Sequence, residues 1–366
     1  MRILYDHQIF NEQVFGGISR YFYEIIREFE LDKDIDISSS IVLSNNHYIE
    51  NSNFIKARPF FPRTSFAGKM MIQSSINKIY AINKLKKGDF DIFHPTYYDP
   101  YFIKYLGKKP FIITVHDMIH EKFKDMFHYK DKITERKKYL VKKAAKIIVV
   151  SENTKEDLIN IFNIDESKIE VVYHGNSMLP PLKNKMLEDT PEKFILFIGT
   201  REVYKNFITF IRAITPLLNN DKNLSVVCVG GGKFKKKELA LFKSLKINKS
   251  LYQYSLNDEK LGQFYRNALL FVFPSLYEGF GLPILESFAC ECPVACSNNS
   301  SMPEIAGDAA FYFDPNSEES ILAAIESLLT NEKLRINLLE KARERLKLFT
   351  WGEAAKKTKS IYESIL

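Results

Sequence analysis

Two glutamates, Glu278 and Glu286, flank a glycine-containing turn in the segment FVFPSLYEGFGLPILESFACECP, residues 271–293. An apolar strand precedes the turn and an apolar helix follows it, so the turn delivers unpaired backbone N–H groups and the positive end of a helix dipole to one place. Such a place binds anions. Acidic side chains beside it are useful only if they accept hydrogen bonds from hydroxyl groups. Phosphate together with a polyol indicates a sugar nucleotide as the ligand.

The elements that must position these side chains alternate between strand and helix along the whole chain. Runs such as FIITV and KIIVV lack polar alternation, which is typical of parallel strands covered on both faces. The pattern predicts strands at 2–6, 37–43, 90–94, 111–116, 146–151, 170–173, 194–199, 224–229, 251–254, 269–273, 294–297 and 311–313. Helices are predicted between most of these strands, though not between 43 and 90, and a further helix is predicted from 317 to about 348.

Two strand–helix series of this kind predict two doubly wound, Rossmann-like domains that face each other across a cleft. We predict an N-terminal domain over residues 1–175, a linker over 176–191 and a second domain over 192–350. The linker is irregular and contains Pro180, Pro181 and Pro191. A last helix, 351–366, is expected to pack back on the first domain.

Composition narrows the class of protein. A chain of 366 residues with 45% hydrophobic and 27% charged residues is typical of a two-domain globular protein. The net charge of +7 is divided between both halves, which is too mild for nucleic-acid binding but favours an anionic ligand or membrane surface. The four cysteines lack a zinc-binding spacing, so we predict buried reduced thiols and no metal site. Reduced thiols, together with the lack of an evident secretory signal or membrane-spanning segment, predict a cytoplasmic protein.

Several motifs in order resemble the retaining nucleotide-sugar glycosyltransferases of family four, which have the GT-B fold. The resemblance begins with the Glu-(seven residues)-Glu pattern from Glu278 to Glu286 and covers nearly the whole chain. The other matching segments are Gly16–Arg20, Thr114–Asp117, Val150–Thr154, Gly199–Arg201 with Lys205–Asn206, Pro303–Glu304 and Phe349–Trp351.

The resemblance implies that Glu278 holds hydroxyls of the donor sugar and that Glu286 holds the ribose. Because the turn between them carries unpaired N–H groups, its backbone is expected to reach sugar or phosphate. The residues of this turn are Gly279, Phe280, Gly281 and Leu282.

Cations and glycines elsewhere complete the predicted donor site. Arg201 and Lys205 follow a strand that ends at Gly199, where they would clamp a pyrophosphate and stabilise it as a leaving group. Gly16 and Gly17 join the first strand to the first helix and would let backbone N–H groups approach phosphate. The resemblance implies that His116 contacts the donor sugar and helps catalysis. The alternative for each is structural: surface cations, a turn and a buried histidine.

The activity implied is that of a retaining, metal-independent hexosyltransferase without a cofactor. Its donor would be a UDP- or GDP-sugar, and its acceptor a glycan or a lipid-linked glycan of bacterial surface polysaccharide or lipopolysaccharide synthesis, bound mostly by the first domain. No carboxylate is placed as a nucleophile, so we expect same-face attack assisted by the leaving phosphate. The alternatives are an epimerase or sugar phosphorylase of the same fold, or a non-catalytic subunit of a polysaccharide assembly complex.

Two further groups of residues each have a functional and a structural interpretation. His94, Tyr97 and Tyr98 could line the acceptor side or simply pack on the core. Residues 56–71, KARPFFPRTSFAGKMM, mix cations with phenylalanines, which is typical of a peripheral contact with anionic lipid at the inner face of a membrane. An ordinary loop with inward-packed aromatic rings is the alternative.

Overall fold

The computed structural model describes residues 1–50, 52–128, 131–180, 186–187 and 189–366. The chain forms two compact units, of which the first comprises Met1–Gly175 with Trp351–Leu366 and the second Asn176–Thr350. Each unit is described separately. Within the described ranges, no helix combines the length and the apolar character that crossing a bilayer requires. Part of the predicted linker, at 181–185 and 188, lies outside the described residues.

The first unit is built on parallel strands in the order β2-β1-β3 and β4-β5-β6. A parallel bridge between Phe93 and Phe111 connects the two sets, so the sheet runs β2-β1-β3-β4-β5-β6. The order reverses between β1 and β3. These strands are β1 (Arg2–Tyr5), β2 (Asp36–Ser39), β3 (Ile92–His94), β4 (Ile112–Val115), β5 (Lys146–Val149) and β6 (Ile169–Val171).

Helices cover this sheet because their apolar stripes match its buried strands. In α2, Tyr21, Phe22, Ile25 and Ile26 are fully buried and join the core that β1 supplies. The helices of the unit are α1 (Gln8–Glu12), α2 (Gly17–Phe29), α3 (His47–Glu50), α4 (Lys69–Lys87), α5 (Ile119–Lys122), α6 (Ile133–Lys143), α7 (Glu152–Phe162) and α15 (Trp351–Glu363), with 3₁₀ turns at Pro100–Tyr105, Lys124–Met126 and Glu166–Lys168.

The last helix is tied into the first unit by a buried polar contact. In α15, the hydroxyl of Tyr362 lies 2.6 Å from the hydroxyl of Tyr5 and 2.6 Å from Nδ1 of His94. Trp351, at its start, is tilted against His174, with ring centroids 5.7 Å apart. The core of the first unit therefore requires residues from both ends of the chain.

The second unit repeats the design with six parallel strands in the order β12-β11-β10-β7-β8-β9. Here the order reverses between β7 and β10, which pair directly. In doubly wound sheets, ligands bind outside the carboxyl ends of the strands at such a reversal. The strands are β7 (Lys193–Ile198), β8 (Leu224–Val229), β9 (Leu251–Tyr254), β10 (Leu270–Phe273), β11 (Val294–Ser297) and β12 (Phe311–Phe313).

The helices of the second unit enclose a core of apolar side chains on one face of the sheet, which includes Phe197, Phe207, Phe210 and Val226. The predicted helix from 317 to 348 is wrong in one respect: it is divided at Asn331, whose side chain caps the second part. The helices are α8 (Phe207–Asn220), α9 (Lys236–Ser244), α10 (Asp258–Asn267), α11 (Leu282–Ala289), α12 (Met302–Ala306), α13 (Glu318–Thr330) and α14 (Glu332–Leu346), with a 3₁₀ turn at Val203–Lys205.

All twelve predicted strands occur, and the fold is the predicted α/β arrangement of two Rossmann-like units with parallel sheets. The strand predicted at 37–43 is displaced to Asp36–Ser39, since Ser40 onwards leaves the sheet. Helix α4 was not predicted, because its buried stripe includes two amides, Gln73 and Asn77, while several of its isoleucines are exposed. The four cysteines are free and buried, as expected.

Candidate functional site

An ion pair joins the loops after β7 and β10. The ammonium of Lys205 lies 2.5 Å from Oε1 of Glu278, and both side chains are largely buried. Lys205 ends the 3₁₀ turn after β7, and a Cβ atom added at Gly199 would lie 3.9 Å from its Nζ atom. The structure thus brings two sequence-predicted residues together at the point where the strand order reverses. A cation and a carboxylate side by side suit a ligand that carries both phosphate and hydroxyl groups.

Three serines fix the loop that carries Glu278. The hydroxyl of Ser275 donates to Oε1 of Glu278 at 2.6 Å. The hydroxyls of Ser300 and Ser301 donate to the backbone carbonyl of Glu278, at 2.7 and 3.0 Å. Ser301 also donates to the carbonyl of Phe280 at 2.8 Å. The carboxylate is therefore held in one position by a network that sequence reasoning missed, although the SNNSS run at 297–301 signals hydrogen-bonding capacity.

The turn between the two glutamates starts helix α11 from a left-handed glycine. Gly281 has φ +108°, and a Cβ atom there would lie 3.3 Å from Cδ1 of Ile284. It is the N-cap of α11 and contributes no capping side chain. Leu282 is the first residue of the helix, so the turn from Gly279 presents the N-terminal end of α11 beside the loop of Glu278. An anion placed there would meet the positive end of the helix dipole.

Glu286 lies in the second turn of α11 and is buried. The hydroxyl of Tyr265 donates to its Oε2 atom at 3.1 Å and lies 3.1 Å from the carbonyl of Pro283. Burial and the neighbouring Glu286 carboxylate raise the pKa of Tyr265 well above its usual value, which keeps the phenol protonated as a donor. Tyr265 therefore orients Glu286, and no signal in the sequence identified it.

The side chain of Arg201 binds the glycine-rich loop at residues 230–233, after β8. Its Nε atom lies 2.7 Å from Oε1 of Glu238, and its Nη atoms donate to four backbone carbonyls at 3.0 to 3.3 Å, those of residues 230–233. The three glycines of this loop have φ between +66° and +89°, and a Cβ atom at Gly231 would lie 2.7 Å from Nη1 of Arg201. With its side chain 1% exposed, Arg201 positions this loop. Its predicted direct contact with pyrophosphate stays a prediction.

In the first unit, the glycines at the start of α2 are covered by a glutamine. Oε1 of Gln13 accepts a hydrogen bond from the backbone N–H of Ser19 at 3.0 Å. A Cβ atom at Gly16 would lie 2.2 Å from the same oxygen, so only glycine allows this arrangement. Gln13 occupies the place at the N-terminus of α2 where Gly16 and Gly17 were predicted to admit a phosphate.

His116 follows β4 and is buried. Neither of its ring nitrogens has a hydrogen-bond partner among the described residues. Its ring packs edge-on against Tyr21, with centroids 5.0 Å apart. Burial, assisted by His174 and His94, holds the pKa of His116 well below its usual value, so the imidazole is neutral. A buried imidazole with no partner loses hydrogen-bond energy until a ligand supplies one, which fits a contact with sugar hydroxyls.

His94 belongs to the core, which excludes the acceptor-lining alternative for it. Its Nε2 atom lies 2.9 Å from Oγ1 of Thr114, and Tyr362 occupies its other nitrogen. Burial lowers the pKa of His94 to about 3. Both hydrogen-bonding positions of the ring are thus satisfied inside the first unit.

Tyr97 and Tyr98 line a cavity of about 550 Å³ in the first unit, together with His7, Gln8 and Glu12. These residues follow β1 and β3, between which the strand order reverses. The cavity wall also contains Asp99, Asp131 and Arg136. Acids, an amide and aromatic rings on one wall suit a polyhydroxylated ligand. A second cavity of about 580 Å³ adjoins it, sharing Asp99, Lys132 and Arg136 and adding apolar side chains such as Ile82 and Ile103.

Two family models together match most of the chain. Residues 15–176 match "Glycosyltransferase Family 4" and residues 180–345 match "Glycosyl transferases group 1". The division between the two matches falls beside the boundary between the two compact units.

Characterised relatives and a solved structure agree with these matches. O-antigen chain mannosyltransferase B of Escherichia coli is 30% identical over 254 residues, which are 65% of this chain and 66% of that protein. An N-acetylgalactosaminyltransferase of Campylobacter jejuni, whose acceptor is a diacetylbacillosaminyl-diphospho-undecaprenol glycan, is 32% identical over 215 residues, 57% of this chain and 58% of that protein. The chain thus matches less than two thirds of either relative. The Anabaena protein HepE, solved with UDP and glucose, shares the fold with a TM-score of 0.74, 12% identity and complete coverage of both chains.

Proposed function

Because the chain belongs to the family-four glycosyltransferases, which have the GT-B fold, we propose that it transfers a hexose-type sugar from a nucleotide diphosphate sugar to a glycan or lipid-linked acceptor, with retention of anomeric configuration. The observation that carries this proposal is the contact between Lys205 and Glu278 at the strand reversal of the second unit. That is the point at which doubly wound sheets bind nucleotides.

The donor would exchange the existing ion pair for its own contacts. Lys205 would move its ammonium onto the pyrophosphate, while the N-terminus of α11 supports the same charge. Glu278, released from Lys205 but still held by Ser275, would accept from donor-sugar hydroxyls. Glu286, oriented by Tyr265, would accept from the ribose. Arg201 contributes by holding the loop at 230–233.

Retention would follow from same-face attack. As the bond between anomeric carbon and β-phosphate oxygen breaks, the leaving phosphate gains charge that Lys205 and the helix dipole stabilise, so no metal ion is required. The acceptor hydroxyl forms the new bond on the face that the phosphate leaves, and its proton passes to the β-phosphate oxygen. The roles of His116, Gly16 and Gly17 toward the donor remain predictions within this scheme.

The acceptor would bind in the polar cavity of the first unit, beside Tyr97 and Glu12. The relatives named above act on O-antigen chains and on a diphospho-undecaprenol glycan, which supports a cytoplasmic role in bacterial surface polysaccharide synthesis. The adjoining cavity, with cations and apolar side chains, suits the phosphate and lipid portions of such an acceptor.

A donor screen followed by product analysis tests this function. Thermal unfolding is measured with UDP-glucose, UDP-N-acetylglucosamine and GDP-mannose, since a ligand that binds only the folded state raises the midpoint. The stabilising donor is then incubated with acceptors, with and without EDTA, and the anomeric configuration of the product is read by NMR. A retained glycoside formed equally in EDTA supports the proposal. An inverted product would refute retention, and loss of activity in EDTA would refute metal independence. Release of an isomerised sugar nucleotide or a sugar phosphate would refute glycosyl transfer.

A further inference from the structure

Helix α4 packs on the first unit through a stripe that is polar in its first half, at Gln73 and Asn77, and apolar in its second half, at Ala81 and Leu85. Gln73 and Asn77 are buried. Oδ1 of Asn77 accepts from the backbone N–H groups of Val42 and Leu43, both at 2.9 Å. Its Nδ2 atom donates to the carbonyl of Leu43 at 2.7 Å and to Oδ1 of Asn11 at 2.9 Å. These satisfied amides fix the rotation of the helix, so the orientation of its other faces is determined.

The outward side of α4 is apolar. Ile72, Ile76, Ile79 and Tyr80 recur at the spacing of one helical face and are 42%, 39%, 62% and 40% exposed. An amphipathic helix in a globular protein normally buries such a face, whereas α4 leaves this one exposed and buries a different stripe. Contiguous exposed apolar surface of this kind marks an interaction site.

The segment before α4 extends this surface. The rings of Phe60, Phe61 and Phe66 pack on one another, with Phe61 and Phe66 centroids 5.6 Å apart, while Phe61 remains 56% exposed. Nζ of Lys69 donates to the carbonyls of Phe61 and Thr64, at 2.8 and 3.0 Å. The aromatic cluster is therefore an ordered projection next to the first turn of α4, and its rings do not pack down as in an ordinary loop.

The charged side chains of this segment are all basic, and one of them, Lys78, pairs with Asp99 from outside the segment at 3.0 Å. Between Glu50 and Asp89 the sequence contains no acidic residue and eight basic ones: Lys56, Arg58, Arg63, Lys69, Lys78, Lys84, Lys86 and Lys87. Each cation near an anionic lipid surface contributes favourably to binding, and Lys and Arg at the edge of an apolar face reach headgroups while apolar side chains enter the acyl boundary.

We propose that the outward face of α4, formed by Ile72, Ile76, Ile79 and Tyr80, together with the ring cluster of Phe61 and Phe66, docks the protein on an anionic lipid bilayer. The apolar side chains enter the interface and the surrounding cations bind lipid phosphates. A second copy of the chain is the poorer occupant, because two such faces would bring like charges together. This inference goes beyond the proposed function and holds whichever donor the protein uses.

Vesicle sedimentation tests the proposal. The full chain is mixed with vesicles of phosphatidylcholine alone or of phosphatidylcholine with phosphatidylglycerol, at two salt concentrations. We expect at least about tenfold stronger binding to the anionic vesicles, weakened by salt. Equal binding to both vesicle types, or none to either, would overturn it.

Matched variants assign the binding to α4. Ile76→Glu with Ile79→Glu should reduce binding at least about tenfold, whereas Ile336→Glu with Leu239→Glu, at comparably exposed positions of the second unit, should leave it unchanged. Nucleotide release from the donor, measured without vesicles, should be the same in the wild type and in both double variants. This readout separates the test of membrane binding from the test of the proposed function. Equal loss in both pairs, or a wild-type dimer that the first pair converts to monomer without any change in vesicle binding, would contradict the proposal.

Discussion

Lys205 contacts Glu278 at the point where the strand order of the second sheet reverses. Lys205 lies in the loop after β7 and Glu278 in the loop after β10, and 2.5 Å separates Nζ of the lysine from Oε1 of the glutamate. A doubly wound sheet leaves a crevice at this point because the connections on its two sides run to opposite faces. The fold therefore determines where the ion pair lies, and the identity of the two side chains determines what it can bind.

Replacing Tyr265 by Phe should weaken donor binding more than catalysis. The phenol fixes Oε2 of Glu286, so its loss removes one hydrogen bond to a charged group, about 1.5 to 3 kcal/mol. We expect KM for the donor to rise roughly tenfold with kcat within about twofold. Steady-state kinetics check this, with Tyr252→Phe, on the neighbouring part of the unit, as the control. A fall in kcat at constant KM would mean that Glu286 acts on the reacting centre.

Replacing Arg201 should mainly lower the free energy of unfolding. Arg201→Met leaves Glu238 buried without its partner and four carbonyls without their donor, so we expect the free energy of unfolding to fall by about 3 kcal/mol. Lys193→Met, which removes an exposed ion pair with Asp221, should change it by less than about 1 kcal/mol. Urea unfolding measures both. A stable Arg201→Met variant that has lost only donor binding would show that the arginine contacts phosphate directly.

Removing the side chain of Gln13 should strengthen nucleotide binding. If a donor phosphate uses the N-terminus of α2, it must displace Oε1 of Gln13 from the N–H of Ser19. Gln13→Ala should then raise affinity about threefold while lowering the free energy of unfolding by about 1 kcal/mol, the value of a helix cap. Calorimetric titration with nucleotide checks the first and urea unfolding the second. Weaker binding would identify Gln13 as a ligand of the donor instead.

Acid should unfold the first unit before the second. All seven histidines lie in residues 1–175, and burial lowers the pKa of His94 and His174 to about 3 and that of His116 well below 6.5. The unfolded chain binds protons at these sites below pH 6.5, whereas the folded chain does not, so this stability is complete above pH 6.5 and is lost as pH falls toward the folded pKa values. Each site contributes up to about 1.4 kcal/mol per pH unit.

The single tryptophan, Trp351, reports on the first unit alone. Its fluorescence midpoint in urea should fall steeply between pH 6.5 and 5, and His116→Phe should flatten this dependence, with His47→Gln as the control. A midpoint independent of pH over this interval would show that the buried histidines do not control acid stability.

Much of this architecture is predictable from local patterns, because buried parallel strands are continuous apolar runs and glycines mark the turns after them. The hydrogen-bond partners of individual side chains are harder to predict from the sequence. Glu238 meets Arg201 only because three left-handed glycines bend the loop toward it, and Gln13 meets Ser19 only because Gly16 has no side chain. Helix α4 was missed because its buried stripe begins with two amides, Gln73 and Asn77. The helix also leaves Ile72, Ile76 and Ile79 exposed, so its apolar residues do not mark the buried face.

The most direct test of the central claim is the transfer rate of Glu278→Gln. The substitution keeps the size of the side chain and one oxygen for Ser275 but removes the charge that pairs with Lys205, and Glu259→Gln, at an exposed acid of α10, is the matched control. We expect kcat with the stabilising donor to fall at least about a hundredfold in Glu278→Gln and to stay unchanged in the control, as for loss of an electrostatic contact in a catalytic site. Full activity in folded Glu278→Gln would contradict the assignment of the active site to the loops after β7 and β10.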